Sequence, residues 1–393
     1  TYRFVLPGLI VDLSPAEGGN IESDLRRRDL TINAMALELK PGKIRIIDPW
    51  DGLGDLDNNV ARFVAPEVVL ADPLRLLRLF RFSADLGLIP HPDSLAVVKT
   101  HAALIKDVPG ERIREELLKL LTVPNISPTV NTMLDCGLLM ALMPELEPLR
   151  DCDQNYYHHL NVLDHSMLAL SCLEEIMAES SDYFPEHVSD IQAYLRGENR
   201  TALLKLISLL HDLGKPQTRS EEEDGRLHFY RHEDLGEKLA GQIAARFRLA
   251  KNEKSFIQFI IRHHLRVFHL LDAEIKGNLT SKGIYRFGRM AGPDLWAFFL
   301  HALADAQATQ GPASQIRESG PNLGEFFLYL HEQITRQKQQ LPRLISGRDL
   351  METFDLPSSP LLGRILTEIE EAQAIGRIKT KSEALDYAKK MIE

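Results

Sequence analysis

His211 and Asp212 stand side by side at the end of Leu203 to Leu210, a run that is almost wholly apolar. An adjacent imidazole and carboxylate in such a place are costly to bury unless an ion or polar partners compensate them. Other candidates of the same chemistry stand at helical sites: His165, His232, the doublet His263-His264, and Asp305 in His301-Ala302-Leu303-Ala304-Asp305. A second group lies nearer the start, with Arg27, Arg28, Asp29 and Asn33 close together and Asp72, Arg75 and Arg78 following. An acceptor and an amide four residues apart share one helix face and can hold a pair of ribose hydroxyls. Arg27 and Arg28 can bind triphosphate oxygens as rigid cationic forks. Asp72 and Arg75, three apart, can both project from one helical turn. An aspartate accepts from the exocyclic amine of cytosine or adenine, and an arginine donates to the ring nitrogen beside it. Uracil and guanine present a donor at that nitrogen, so the pair can select C and A.

These residues need elements to hold them. Residues 2 to 13 are extended and β-prone, with Pro7-Gly8 as a turn between two short strands. Another strand signal covers Lys43 to Ile47, and residues 24 to 37 read as a helix. From about Pro66 onward strand signals nearly vanish and helical periodicity takes over. Asp72-Pro73 reads as an N-cap followed by proline at the first helical position. Glu111 to Leu121 is a strong helical stretch, and Thr201 to Leu210 is a buried helix closed by Gly214 and Pro216. Pro144 to Asp153 and Gly311 to Asn322 read as linkers.

The 393 residues suffice for two to four domains. With 44% hydrophobic and 26% charged residues, the composition is an ordinary globular balance and argues against wholesale disorder. No apolar stretch approaches the ~18 residues of a membrane helix, and no signal-peptide pattern opens the chain. Cys136, Cys152 and Cys172 form no CxxC pair and read as reduced thiols of a cytoplasmic protein. A net charge of −10 argues against coating nucleic acid everywhere, but leaves room for a local basic groove at Arg26-Arg27-Arg28 and at Arg75, Arg78 and Arg81.

The string Arg27-Arg28-Asp29-Leu30-Thr31-Ile32-Asn33-Ala34-Met35-Ala36 resembles the RRDxTxNAMA motif of class II tRNA nucleotidyltransferases, the family of CCA-adding enzymes and bacterial poly(A) polymerases. Asp72-Pro73-Leu74-Arg75-Leu76-Leu77-Arg78-Leu79-Phe80-Arg81-Phe82 resembles its EDPLRxLRxxRF motif, in which the Asp/Arg pair is the protein template for CTP and ATP. Ala71 departs from the family's glutamate, which weakens the orientation expected for Arg75. Asp48 to Leu56 resembles the DPxGGxxDL hinge, with Asp51 in place of the first glycine, and Glu111 to Leu117 resembles ERIxxEL. The order His165, His211-Asp212, His232, His264 and Asp305 resembles the HD phosphohydrolase superfamily, and Leu210 to Pro216 is close to its HDxGKP signature. That resemblance implies a site for Zn²⁺, Mn²⁺, Fe²⁺ or Ni²⁺, which mixed N/O ligands do not distinguish by affinity. A bound ion would bring a water near neutral pKa, and Lys215 could steady a phosphate.

The resemblance implies a mainly α protein. Residues 1–62 would be the C-terminal part of an α/β nucleotidyltransferase head, 63–145 a neck of template helices, 146–320 an HD-type body and 321–393 a helical tail facing tRNA. The activity implied is addition of C, A or both to the tRNA 3′ end from CTP and ATP with Mg²⁺, beside a metal-dependent phosphohydrolase. The family's Gly-Gly turn and Asp-x-Asp strand do not occur at the start of this chain, so an upstream segment carrying them is expected. Asp12 stands where a later head strand offers a third carboxylate, or is simply a strand-end aspartate. Three rivals stay open: a poly(A) polymerase, disfavoured by pI 5.8 and by His211-Asp212; an HD hydrolase with a degenerate head; and a non-catalytic tRNA-binding module. CCA, CC or A addition, the HD substrate and the oligomeric state are open.

Overall fold

Pro7-Gly8 reverses the chain between strands Tyr2–Leu6 and Leu9–Leu13, which pair antiparallel with Tyr2 opposite Leu13. The computed structural model describes residues 2–41, 43–154, 160–223, 225–309, 323–340 and 343–392. A second hairpin pairs Ala36–Lys40 with Lys43–Ile47, the strand expected there. Beyond it, the described strands are only short pairs: Val60–Ala61 with Ile89–Pro90, and Arg219–Glu221 with Leu227–Phe229. Helices dominate the rest, as the periodicity requires.

The helix expected over residues 24 to 37 does not form. The chain makes a short helix, Ile21–Arg26, then a 3-10 turn, Thr31–Asn33, and passes into the Ala36–Lys40 strand. Polar side chains compete with the helical ladder here. Asp29 Oδ1 accepts from its neighbour Leu30 N at 2.9 Å, and Thr31 Oγ1 donates to Asp55 Oδ2 at 2.7 Å. Thr31 N is taken by Arg62 O at 2.9 Å. Asp29 and Asn33 nevertheless meet, because Asn33 Nδ2 donates to Asp29 Oδ1 at 3.1 Å.

The Asp48 to Leu56 string closes on itself. Asp48 accepts from Gly52 N at 2.8 Å and Leu53 N at 2.9 Å. Asp51, standing where the family pattern has glycine, takes a left-handed φ of 54°, a conformation that aspartate tolerates better than most residues. A Cβ at Gly52 would lie 2.4 Å from Thr31 O, so this position admits only glycine without a backbone shift.

Asp72 caps the next turn, accepting from Leu74 N at 3.3 Å, and the α-helix proper runs Arg75–Leu86. Its Leu76, Leu77, Leu79 and Phe80 are buried, which leaves Arg75 and Arg78 on the less buried face. One continuous apolar core runs from Leu30 to Ile334. Pro144 to Asp153 is therefore no free linker: its 3-10 turn Pro144–Leu149 buries Leu146 and Leu149 in that core. Gly311 to Asn322 lies outside the described residues, as do His158 and His159.

A second, smaller core spans Ile345 to Ala388. It is tied to the first by Arg286, whose guanidinium donates to both oxygens of Glu371 at 2.9 and 2.8 Å. The three cysteines are buried and free. Among the described residues no helix is long and apolar enough to cross a membrane.

Candidate nucleotide cleft and metal centre

The tip of the Arg75–Leu86 helix, the Arg28 to Asn33 turn and the Gly110–Thr122 helix converge on a cleft of about 460 Å³. Arg28, Asp29, Asn33, Asp72, Arg75, Arg78, Phe82 and Arg112 line it. Four guanidiniums against two carboxylates leave the cleft net positive, as a polyphosphate requires. Six of the eight lining residues are ones the sequence singled out. Arg27 is close by but turned outward, paired with Glu17, while its carbonyl accepts from Arg75 Nη2 at 2.6 Å. Asp12 is not among the lining residues; it accepts from Arg3 across the exposed hairpin at 2.7 and 2.8 Å.

Asp72 and Arg75 do not pair with each other. Arg112 donates to both oxygens of Asp72, at 3.1 and 2.8 Å, and Arg75 donates to Val68 O at 3.0 Å and to Arg27 O. Burial works against charge on Asp72, and the Arg112 guanidinium overrides it and holds the carboxyl below its usual range. Buried Asp29 accepts from Arg78 Nε at 2.7 Å, and Arg78 reaches Glu116 at 3.3 Å. Phe82 lies beneath two guanidiniums, with Arg81 3.6 Å and Arg78 5.0 Å from its ring centre. Arg112 and Phe82 both stand inside the quoted strings, yet spacing alone gave neither a role.

The second constellation forms where helices Val162–Ala178, Arg200–Leu210, His232–Arg246, Lys251–His263 and Leu295–Ala308 meet. The structure brings His165, His211, Asp212, His232, His264 and Asp305 together. His165 Nε2 is 3.0 Å from Asp305 Oδ1, and His211 Nε2 is 3.1 Å from Asp212 Oδ2. On the other oxygen of Asp212, His232 Nε2 is 3.4 Å away, and it lies 3.3 Å from His264 Nε2. His165, His211 and Asp212 form one group of donor atoms within 4.8 Å, and Asp212, His232 and His264 another. The doublet resolves in favour of His264, which is 2% exposed.

The outer ring nitrogens face backbone carbonyls: His211 Nδ1 on Ser208 O at 3.0 Å, His232 on Phe229 O at 2.8 Å, and His264 on Ile261 O at 2.7 Å. Such contacts fix the tautomer and leave Nε2 lone pairs facing inward, the arrangement of metal-ligating histidines. His211 Nε2 and Asp212 Oδ2 lack a hydrogen bond of good geometry although both are buried. The donor set therefore fits a transition-metal ion held by imidazole and carboxylate. Lys215 Nζ lies 2.6 Å from Asp212 Oδ2 and donates to Gln154 Oε1 at 2.7 Å, so it is engaged rather than free for a phosphate. His269, which the sequence gave no role, lines the mouth of this cleft.

Burial opposes charge on His211 and Asp212. Even so, Asp212 holds His211 above its usual range, and His211 and Lys215 hold Asp212 well below its own. Burial pushes His264 far down, helped by His232, and takes His301 down to about 3.

The glycine of His211-Asp212-Leu213-Gly214-Lys215 has a steric reason. A Cβ there would stand 2.1 Å from His232 O and 2.9 Å from Gly236 N, so the His211 loop rests directly on the turn carrying His232. Gly214→Ala is expected to push these elements apart. Overpacking of this kind costs about 1–3 kcal/mol. A lowered melting temperature together with lost metal content would show it; unchanged metal content would contradict it.

Comparison with known proteins agrees with this geometry. The family profile of the poly A polymerase head domain matches residues 11–62, and that of the RNA- and SrmB-binding site of polymerase A matches residues 87–149. The HD domain profile matches residues 162–280, and tRNA nucleotidyltransferase domain 2 matches residues 294–388. The chain is 31% identical to the A-adding tRNA nucleotidyltransferase of Deinococcus radiodurans, over 95% of this chain and 80% of that protein. It is 29% identical to the CC-adding enzyme of Thermus thermophilus, over 98% of this chain and 80% of the relative. In fold it matches a CCA-adding enzyme solved with ATP, at 20% identity and a TM-score of 0.62, over 98% of this chain and 75% of that one. The Thermotoga maritima CCA-adding enzyme in complex with tRNA matches at 20% identity and a TM-score of 0.60, over 100% and 78% of the two chains. Motif order, the helical fold and the Deinococcus relative agree: the chain belongs to the class II tRNA nucleotidyltransferases that carry an HD domain.

Proposed function

We propose that the protein extends the 3′ end of tRNA with C, A or both, taking CTP and ATP as substrates and using Mg²⁺. The observation that carries this reading is the basic cleft in which Asp72 and Arg75 stand together with Asp29, Asn33, Arg28, Arg78 and Arg112. Asp72 offers the acceptor for the base's amine, and Arg75 the donor for the ring nitrogen beside it. Both keep capacity for a base. Arg75 commits two of its five N–H donors to the backbone, and the Asp72 carboxylate accepts three of the roughly four bonds it can take. Asn33 and Asp29 would hold the ribose and Arg28 the phosphates, joined by Arg27 once it turns inward from Glu17.

Residues 63–145 serve as the template neck, 146–320 as the HD body and 321–393 as the tail toward tRNA. In the body, His165, His211, Asp212, His232, His264 and Asp305 would hold a divalent transition metal such as Ni²⁺, Mn²⁺, Fe²⁺ or Zn²⁺. When bound, such an ion polarises a phosphoester for hydrolysis. The test uses protein expressed from the complete reading frame, with Mg²⁺, tRNA and each labelled nucleoside triphosphate. Incorporation of CTP or ATP, with UTP and GTP excluded, supports the reading. Equal use of all four nucleotides, or none, overturns it.

A further inference from the structure

His301 stands one helical turn before Asp305 on the Leu295–Ala308 helix and is 1% exposed. Its ring centre lies 5.0 Å from that of His211 and 6.1 Å from that of His264. The rings of the metal-centre histidines are spaced alike, at 5.5 Å for His165–His211 and 5.2 Å for His232–His264. His301 thus belongs to the same imidazole cluster. One feature of its chemistry sets it apart. His211, His232 and His264 each face a carbonyl through Nδ1, whereas neither nitrogen of His301 has a hydrogen-bond partner.

A neutral imidazole always carries one N–H and one lone pair. Leaving both unmet in a dry interior is costly, and an apolar ring of similar size would avoid that cost. The partner must therefore come from outside the chain. Ser208 Oγ is also buried without a partner, on the helix whose Ser208 carbonyl faces His211 Nδ1. A buried water is held by polar partners, and the two nitrogens of His301 offer one a donor and an acceptor. The nitrogens of His301 lie outside the two donor groups that share Asp212, so it sits behind the ligands rather than among them.

We infer that His301 is a positioning residue of the HD centre, binding an internal water that enters with the cation and orienting His211 from behind. This rests on the metal-centre reading above. The test compares wild type, His301→Phe and His301→Gln after chelation, by thermal melting across a Mn²⁺ or Ni²⁺ titration and by metal analysis. The metal raises the melting temperature according to its affinity for the folded state. The expected result has two opposite signs: His301→Phe melts higher than wild type without metal, yet binds metal at least tenfold more weakly. His301→Gln, which keeps a donor and an acceptor, recovers part of the affinity and gives the same readout should the Phe variant not fold. Wild-type affinity in both variants overturns the inference and makes His301 a packing residue. Failure of wild type itself to bind metal overturns the metal-centre reading, and this inference with it.

Discussion

Asp72→Ala is expected to lower kcat/KM for CTP and ATP by about 10- to 100-fold, the loss of one charge-assisted hydrogen bond at about 1.5–3 kcal/mol. Selectivity should fall further than rate. With the carboxylate gone, nothing in the cleft requires an amine on the base, and Arg112, now without its bidentate partner, becomes an extra donor that favours the carbonyls of uracil and guanine. Asp72→Asn separates the two effects, because it keeps the cap on Leu74 N and presents an amide that can accept or donate. Its folded stability should stay near that of wild type while the preference for C and A over U and G collapses. Steady-state kinetics with each of the four triphosphates checks both variants. An Asp72→Asn protein with wild-type selectivity would remove Asp72 from the template.

The second large effect belongs to the other centre. Asp212 is the one residue shared by both donor groups, facing His165 and His211 through one oxygen and His232 through the other. Asp212→Ala is therefore expected to weaken transition-metal binding by at least about a hundredfold and to abolish phosphohydrolysis. It also leaves Lys215 buried beside no carboxylate. Breaking a buried pair from one side costs about 3–5 kcal/mol, so the melting temperature should drop even without metal. Incorporation into tRNA, which depends on a cleft built from other elements, should persist at temperatures where the variant is folded. Metal analysis, a phosphodiester or phosphomonoester assay and the tRNA assay on one preparation give all three readings.

The candidate site residues were legible wherever their spacing falls within one helix or one turn. Asp72 and Arg75 lie in one turn, His211 and Asp212 are adjacent, and both sets arrive at their sites as spaced. What spacing could not give is the partner brought from a distant element. Arg112 reaches Asp72 across 40 residues, and His301 finds its place only through the packing of the Leu295–Ala308 helix against its neighbours. The misread helix at residues 24 to 37 has a local cause. Asp29, Thr31 and Asn33 satisfy one another and nearby backbone better than a helical ladder would, while Leu30 is drawn into the core beside Phe63. The Asp29–Asn33 contact survived the error because a compact turn, like a helix, brings residues four apart together.

The measurement that tests the central claim most directly maps products on three tRNA primers, ending at the discriminator base, at C and at CC. Each is incubated with the protein from its complete reading frame, Mg²⁺ and all four triphosphates. The expected result is addition of C, A or both in a fixed order, stopping at one defined end, with no U or G in any product. Untemplated runs of a single nucleotide, mixed incorporation of all four, or no extension of any primer would contradict it.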